Sequence, residues 1–331
     1  MELGFALPQF DFSVPGESPL LWPTVARWAQ RAEALGFGSL WVADHLALGI
    51  EKYGGSGEYA GFDALATLAA LARITDRVKL GTLVLCVPLR PPAVTAKALA
   101  TVDVLSGGRV IAGLGAGWYR PEFDLARLPF EPLSVRLERL VEAIEIVRGL
   151  FGGGPFSFAG HHYRVEDARC LPVPVQRPHP PIWVGGRGDR SLEVAARHAD
   201  GWNAVWRFTP DEYRARVAVL ERACEDAGRD PADVTRSLGL YTLVGEDERD
   251  LARRFERLRS MSPKGVLDGV SLADWRQGHL VGTVEQVHEQ LGGWRELGVS
   301  TFIVGLGALS FAVTTEDDLE MIATAGRLSA S

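Results

Sequence analysis

The sequence predicts an α/β fold of the (β/α)8 TIM-barrel class, and three observations carry that prediction. Short apolar runs alternate with amphipathic helical patterns along the chain, the signature of a parallel sheet wrapped in helices. Eight such runs can be marked out: 3–8, 39–43, 78–85, 109–114, 181–185, 201–204, 236–244 and 301–305. A local pattern also repeats. Ala34-Leu35-Gly36-Phe37-Gly38-Ser39-Leu40 echoes Glu296-Leu297-Gly298-Val299-Ser300-Thr301-Phe302, each a helix stopped by a glycine suited to the left-handed region and then a strand.

In chain order, Leu3, Phe5 and Leu7 alternate as a first strand would. Leu21, Val25, Trp28, Ala32 and Leu35 then fall on one helical face, with Arg27, Gln30, Arg31 and Glu33 outside it. Val94, Ala98, Thr101, Val102 and Leu105 repeat the helical spacing, and Ser106-Gly107-Gly108-Arg109 ends that helix. Leu133, Leu137, Leu140, Val141 and Ile144 mark the next. Tyr213, Val217, Leu220 and Cys224 mark another, and Val284, Val287, Leu291 and Trp294 the last. Strand spacing is uneven and predicts insertions after strands 2, 4 and 7. These are a glycine-rich loop over 46–61, a hairpin pairing 156–158 with 162–165, and the segment 261–282. No stretch reads as an interdomain linker, so residues 1–331 are expected to form a single domain.

Composition narrows the function classes. The 331 residues exceed the roughly 250 of a plain barrel and leave room for those insertions. A net charge of −7 argues against nucleic acid as a partner. Cys86, Cys170 and Cys224 lie far apart with no CxxC pair, so neither a disulfide framework nor a zinc site is expected. The start MELGFALPQF lacks the basic and apolar regions of a signal peptide, and no run reaches the ~20 apolar residues of a membrane span. The expectation is a cytoplasmic protein without a metal.

Barrels keep their chemistry at the C-terminal ends of the strands. Strand 2 ends in Asp44-His45, and a histidine there could give or take a proton near neutral pH. The same pair would also serve simply to cap a strand end. Strand 5 runs into Gly185-Gly186-Arg187-Gly188-Asp189-Arg190-Ser191 and a helix, where amides and a helix N-terminus can converge on a phosphate. A tight turn needing glycine for positive φ gives the same pattern. Strand 4 ends Gly113-Leu114-Gly115-Ala116-Gly117-Trp118-Tyr119, a weak dinucleotide motif but a reasonable place for a flat ligand to approach backbone. Strand 3 reads as plain core whose end could wall a pocket. His161, His162, His179 and His198 have no ligand spacing, and no GxSxG elbow is present.

Taken together, GFALPQF, LGFGSLWVADHL, VKLGTLVLCVPLRPP, GGRVIAGLGAGWYRPEF, PPIWVGGRG and ARHADGW resemble the luciferase-like oxidoreductase family, especially its branch using the deazaflavin coenzyme F420. The resemblance implies that Asp44 and His45 border the ring, with His45 as the catalytic residue handling the substrate proton. It implies a non-prolyl cis peptide at Leu83–Val84 behind the ring, and a ring contact at Cys86. Leu114, Gly115 and Tyr119 match cofactor contacts, and Gly185, Gly186, Gly188 and Asp189 match the phosphate and tail loop. The implied activity is hydride transfer between F420 and an organic substrate. Reduced FMN with oxygen, making a monooxygenase, and a non-catalytic flavin-binding barrel are the alternatives. Ala116 stands where the sugar-phosphate dehydrogenase branch carries a glutamate, so an apolar or aromatic substrate near Trp118, Trp206 and the strand 2 loop is expected instead. A homodimer is implied by the resemblance alone.

Overall fold

The eight apolar runs become eight parallel strands that close on themselves, in a computed structural model describing residues 1–328. The last three residues of the expected 1–331 domain lie outside the described residues. The strands are β1 (Glu2–Ala6), β2 (Ser39–Val42), β3 (Lys79–Thr82, resuming at Leu85–Cys86) and β4 (Val110–Gly115). They continue with β5 (Ile182–Gly185), β6 (Gly201–Trp206), β7 (Thr235–Gly245) and β8 (Thr301–Gly305). Each pairs with the next in parallel, and β8 returns to β1 with Phe302 opposite Leu3 and Ile303 opposite Gly4. That ring is a (β/α)8 barrel.

The helices are α1 (Trp22–Leu35), α2 (Ala64–Ile74), α3 (Pro92–Ser106), α4 (Arg120–Leu125), α5 (Leu133–Phe151), α6 (Asp189–His198), α7 (Pro210–Asp226), α8 (Glu248–Met261), α9 (Leu272–Arg276), α10 (Val284–Glu296) and α11 (Glu316–Leu328). The glycine stops behave as the sequence predicts, with Gly36 at φ 92° and Gly298 at φ 85°. Helices α2, α4, α6, α8, α9 and α11 escape the face-by-face reading of the sequence. Helix α2 is nearly all Ala and Leu, and so shows little contrast between faces. No helix among the described residues is long and apolar enough to cross a membrane.

Period-two alternation divides each strand between two cores. Leu40 and Val42 face the helices, while Trp41 points inward and stacks on Trp183 of β5, ring centroids 5.2 Å apart. Two indoles in one barrel need space, and glycines supply it. A Cβ on Gly81 would lie 2.3 Å from the Trp41 ring, and one on Gly201 2.5 Å from the Trp183 ring.

The long segments after the strands are more ordered than the sequence suggests. Residues 46–61, expected as a loop, form a short hairpin, Ala47–Gly49 with Glu58–Ala60, closed by a 3-10 turn at Glu51–Tyr53. The expected second hairpin pairs Phe156–Ala159 with Arg164–Ala168, slightly longer than predicted. After α8, the strand Leu280–Thr283 adds alongside the far end of β7. A separate apolar cluster roofs this side of the barrel mouth, joining Ile50 to Tyr241, Val266, Trp275 and Leu309. The first hairpin reaches it because Gly54 and Gly265 meet backbone to backbone, where a Cβ on Gly265 would sit 2.1 Å from the Gly54 carbonyl oxygen.

Candidate active site

His45 leaves the end of β2 into the barrel mouth, and its orientation is set from outside its own strand. Its Nδ1 lies 2.9 Å from Oε2 of Glu122, a side chain only 3% exposed in the first turn of α4. The other Glu122 oxygen, Oε1, accepts the Leu46 N–H at 2.6 Å. A carboxylate can only accept, so this arrangement puts the imidazole hydrogen on Nδ1 and turns Nε2 away from Glu122. Trp118 and Tyr119 stand edge-on to the imidazole, at centroid distances of 5.7 and 6.3 Å, and Phe10 closes a third side at 6.2 Å. Trp118 is 48% and Leu46 40% exposed, so the surface beside His45 is apolar and open.

Asp44, one residue earlier, is buried and turned the other way. Its Oδ2 accepts the Cys86 N–H at 2.8 Å and Arg90 Nη1 at 2.6 Å, and Oδ1 accepts Arg90 Nη2 at 2.8 Å. Arg90 also reaches Asp63, the cap of α2. Both oxygens are thus engaged within the protein, tying the end of β2 to the point where β3 resumes. The interruption of β3 is the cis peptide Leu83–Val84 that the resemblance implies, so this strand is not plain core. A second non-prolyl cis peptide, Val205–Trp206, lies at the end of β6 and has no counterpart in the sequence reading.

The break in β3 explains glycines that the sequence leaves ambiguous. Val84 is seated over the ends of β4 and β5. A Cβ on Gly115 would lie 2.5 Å from one Val84 methyl, and one on Gly185 3.0 Å from the other. On Gly113 it would meet the Thr82 carbonyl oxygen at 2.0 Å. Gly-Leu-Gly on β4 is therefore a seat for Val84 and the β3 backbone. Leu114 between them is fully buried toward the helices, and only its backbone can meet a ligand at the mouth. Tyr119 accepts the Gly49 N–H at its hydroxyl, 2.9 Å, fastening the hairpin to the loop after β4. The Cys86 thiol is buried beside Asp44 and Glu122, and that burial pushes its pKa up to about 12, so the sulfur stays protonated.

The loop after β5 opens to solvent at the start of α6. The Gly186 N–H is used on the Asn203 carbonyl at 3.3 Å. Gly188 caps the helix, and its carbonyl takes the first amides, from Ser191 and Leu192. That leaves the amides of Asp189 and Arg190 at the open end of the helix, where a phosphate is favoured. Asp189 opposes this with its own charge, offset by Arg216 at 2.5 Å. Arg187 stacks on Phe208 at 3.9 Å beside them. The open helix end, the exposed apolar surface beside Trp118 and the imidazole of His45 at the same mouth fit a flat ring carrying a phosphate tail.

Across the mouth stands an aromatic wall. Phe10 meets Phe311 at 6.1 Å, Phe311 meets Trp206 at 5.6 Å, and Trp206 stacks on Tyr241 at 5.5 Å. The sequence placed Trp206 and Trp118 near the substrate, and the structure puts them at the same mouth. Glu122 is the site residue the sequence reading missed. Its one signal was a carboxylate in Arg120-Pro121-Glu122-Phe123, where the first turn of a helix buries it.

Comparison with known proteins points the same way. A family model described as luciferase-like monooxygenase matches residues 1–301. The chain is 31% identical to an F420-dependent hydroxymycolic acid dehydrogenase of Mycobacterium tuberculosis, over 88% of this chain and 78% of that protein. It is 28% identical to an FMNH2-dependent dimethylsulfone monooxygenase of Pseudomonas putida, over 71% of each. In three dimensions it resembles an F420-dependent secondary alcohol dehydrogenase solved with an F420–acetone adduct. The TM-score is 0.79 at 21% identity, covering 99% of this chain and 98% of the other, a likeness of fold.

Proposed function

This chain belongs to the luciferase-like monooxygenase family, whose relatives here use F420 or FMN, and within that family we propose an F420-dependent oxidoreductase acting on an apolar organic substrate. The observation that carries this reading is the His45–Glu122 pair facing the mouth. Moving a hydride to or from an oxygen-bearing carbon needs a proton moved with it, and a histidine held in one tautomer by a buried carboxylate supplies that partner. The deazaflavin, when bound, supplies or accepts the hydride. The protein's own residues do the rest. Nε2 of His45, bare while the hydrogen sits on Nδ1, takes up and returns the proton, Trp118 and Leu46 offer an apolar surface to the reacting side, and Asp44, Arg90 and Val84 fix the floor beneath the ring. The α6 N-terminus takes the phosphate, through the Asp189 and Arg190 amides.

Reduced FMN and oxygen make the second reading, supported by the similarity to the dimethylsulfone monooxygenase. Titration with F420 and with FMN, each in both redox states and followed by cofactor fluorescence, separates the two. F420 is expected to bind at least tenfold more tightly. Tight FMN binding with none for F420 would overturn the first reading.

We also propose that the protein acts as a homodimer through α3. That helix is apolar on its inner face and still exposes Val94, Val104 and Leu105 outward, with Val175 packed at its end. Apolar side chains left exposed on the outer face of a helix, here on either side of Lys97, are suited to a partner surface. Light scattering after size exclusion should give twice the monomer mass for the wild type, and the monomer mass for V104E/L105E. A monomeric wild type refutes this surface.

A further inference from the structure

Lys52 stands at the barrel mouth as a cation without an anion. It sits in the 3-10 turn that closes the first hairpin, and its Nζ lies 3.3 Å from the centroid of the Trp118 ring and 4.7 Å from that of Tyr53. Trp118 in turn stands edge-on to His45. No carboxylate lies within ion-pair distance of Lys52 among the described residues, whereas Arg90, beside the end of His45's strand, is neutralised by Asp44 and Asp63.

The chain carries more acids than bases, and Glu51 directly precedes Lys52. The Lys52 side chain is exposed as a whole, while its ammonium rests against two aromatic rings. Packing its charged end over the rings strips part of its water, and this lowers its pKa to about 8. An incoming anion would restore what the ammonium has lost, and cation–π contact with Trp118 keeps it in place until then. The hairpin is fixed at three points: Tyr119 on Gly49, Glu122 on Leu46, and Gly265 against Gly54. Lys52 is thus presented from a braced element rather than a free loop.

We propose that Lys52 is the substrate-recognition cation of this barrel, binding the carboxylate of an aromatic or apolar substrate whose body lies along Trp118 toward His45. The proposal rests on the reading of the mouth as the active site, and it adds a charge requirement to that reading. Neutral substrates of the same shape should bind less well. Lys52 acts in recognition and takes no part in the proton transfer assigned to His45.

The test uses a matched pair of probes, naphthalene-2-carboxylate and naphthalene-2-carboxamide, titrated by calorimetry into the full chain at pH 7. The wild type should bind the carboxylate at least tenfold more tightly than the amide. K52Q should abolish that preference and K52R should keep most of it. Affinity for F420 should be unchanged in K52Q, which separates substrate recognition from contact with the anionic cofactor tail. Equal affinity for the two probes in the wild type, or no binding of the carboxylate at millimolar concentration, overturns the proposal. So does a preference that survives K52Q, or a K52Q variant that loses F420. The carboxylate preference is read without any cofactor, so a protein that binds neither F420 nor FMN refutes the proposed function and leaves this result standing.

Discussion

His45→Ala is expected to lower turnover by about 10²–10⁴-fold, the range that a positioned general acid or base supplies, while affinity for F420 stays within several-fold. Its companion, Glu122→Gln, tests the tautomer argument. The Leu46 N–H already donates to one Glu122 oxygen, so the amide oxygen of a glutamine should take that position. Its NH2 group would then face Nδ1 of His45, 2.9 Å away in the wild type, and a donor there forces the imidazole hydrogen onto Nε2. The variant should therefore lose at least about tenfold in kcat and shift the pH–rate profile, with little change in F420 binding. Because the two residues act as one unit, the double variant should be little worse than His45→Ala alone. Steady-state kinetics with a carbonyl or alcohol substrate across pH 5–9 measures all three. Unchanged turnover in His45→Ala removes the histidine from the mechanism.

Arg90→Met should bring the largest loss of stability, about 3–5 kcal/mol, because it strands a buried carboxylate. The Asp44 side chain is 2% exposed and accepts two hydrogen bonds from Arg90. Removing the guanidinium leaves the charge with the Cys86 amide alone, in a site that water barely reaches. Asp44→Asn added to Arg90→Met should recover a good part of the loss, since the neutral amide no longer needs the cation. Urea denaturation followed by circular dichroism reads both variants. A loss below about 1 kcal/mol for Arg90→Met would place the ion pair among ordinary surface bridges. The same comparison bears on the cofactor. Asp44, expected at the ring's border, is engaged by Arg90 and Cys86, and the proposal treats it as a positioning residue for the floor. F420 affinity should then fall in Arg90→Met in step with the loosening of the β3 end.

Strand positions and helix stops were legible because they depend on local rules. Alternating apolar residues fix which face of a strand is buried, and Gly36 and Gly298 end helices through their own backbone freedom. The mouth of the barrel was legible for the same reason, as His45 and Trp118 lie where two apolar runs stop. The glycines of β4 and β5 were harder. Gly113, Gly115 and Gly185 suggested a ligand approaching the backbone, yet in the structure they first make room for Thr82 and Val84 of a third strand. A glycine in a sequence says that something comes close, without saying what.

The sequence by itself therefore determined the barrel, its eight strands and the strand ends at which His45 and Trp118 lie. Those features follow from periodicity and chain punctuation, which act within a few residues. Tertiary structure alone decided how the site is tuned. Glu122 reaches His45 across 77 positions, Arg90 reaches Asp44 across 46, and Lys52 finds Trp118 from a hairpin that reads as loose glycine-rich chain. Charge pairing and burial depend on which side chains closure of the barrel brings together, and nothing local to either partner records it.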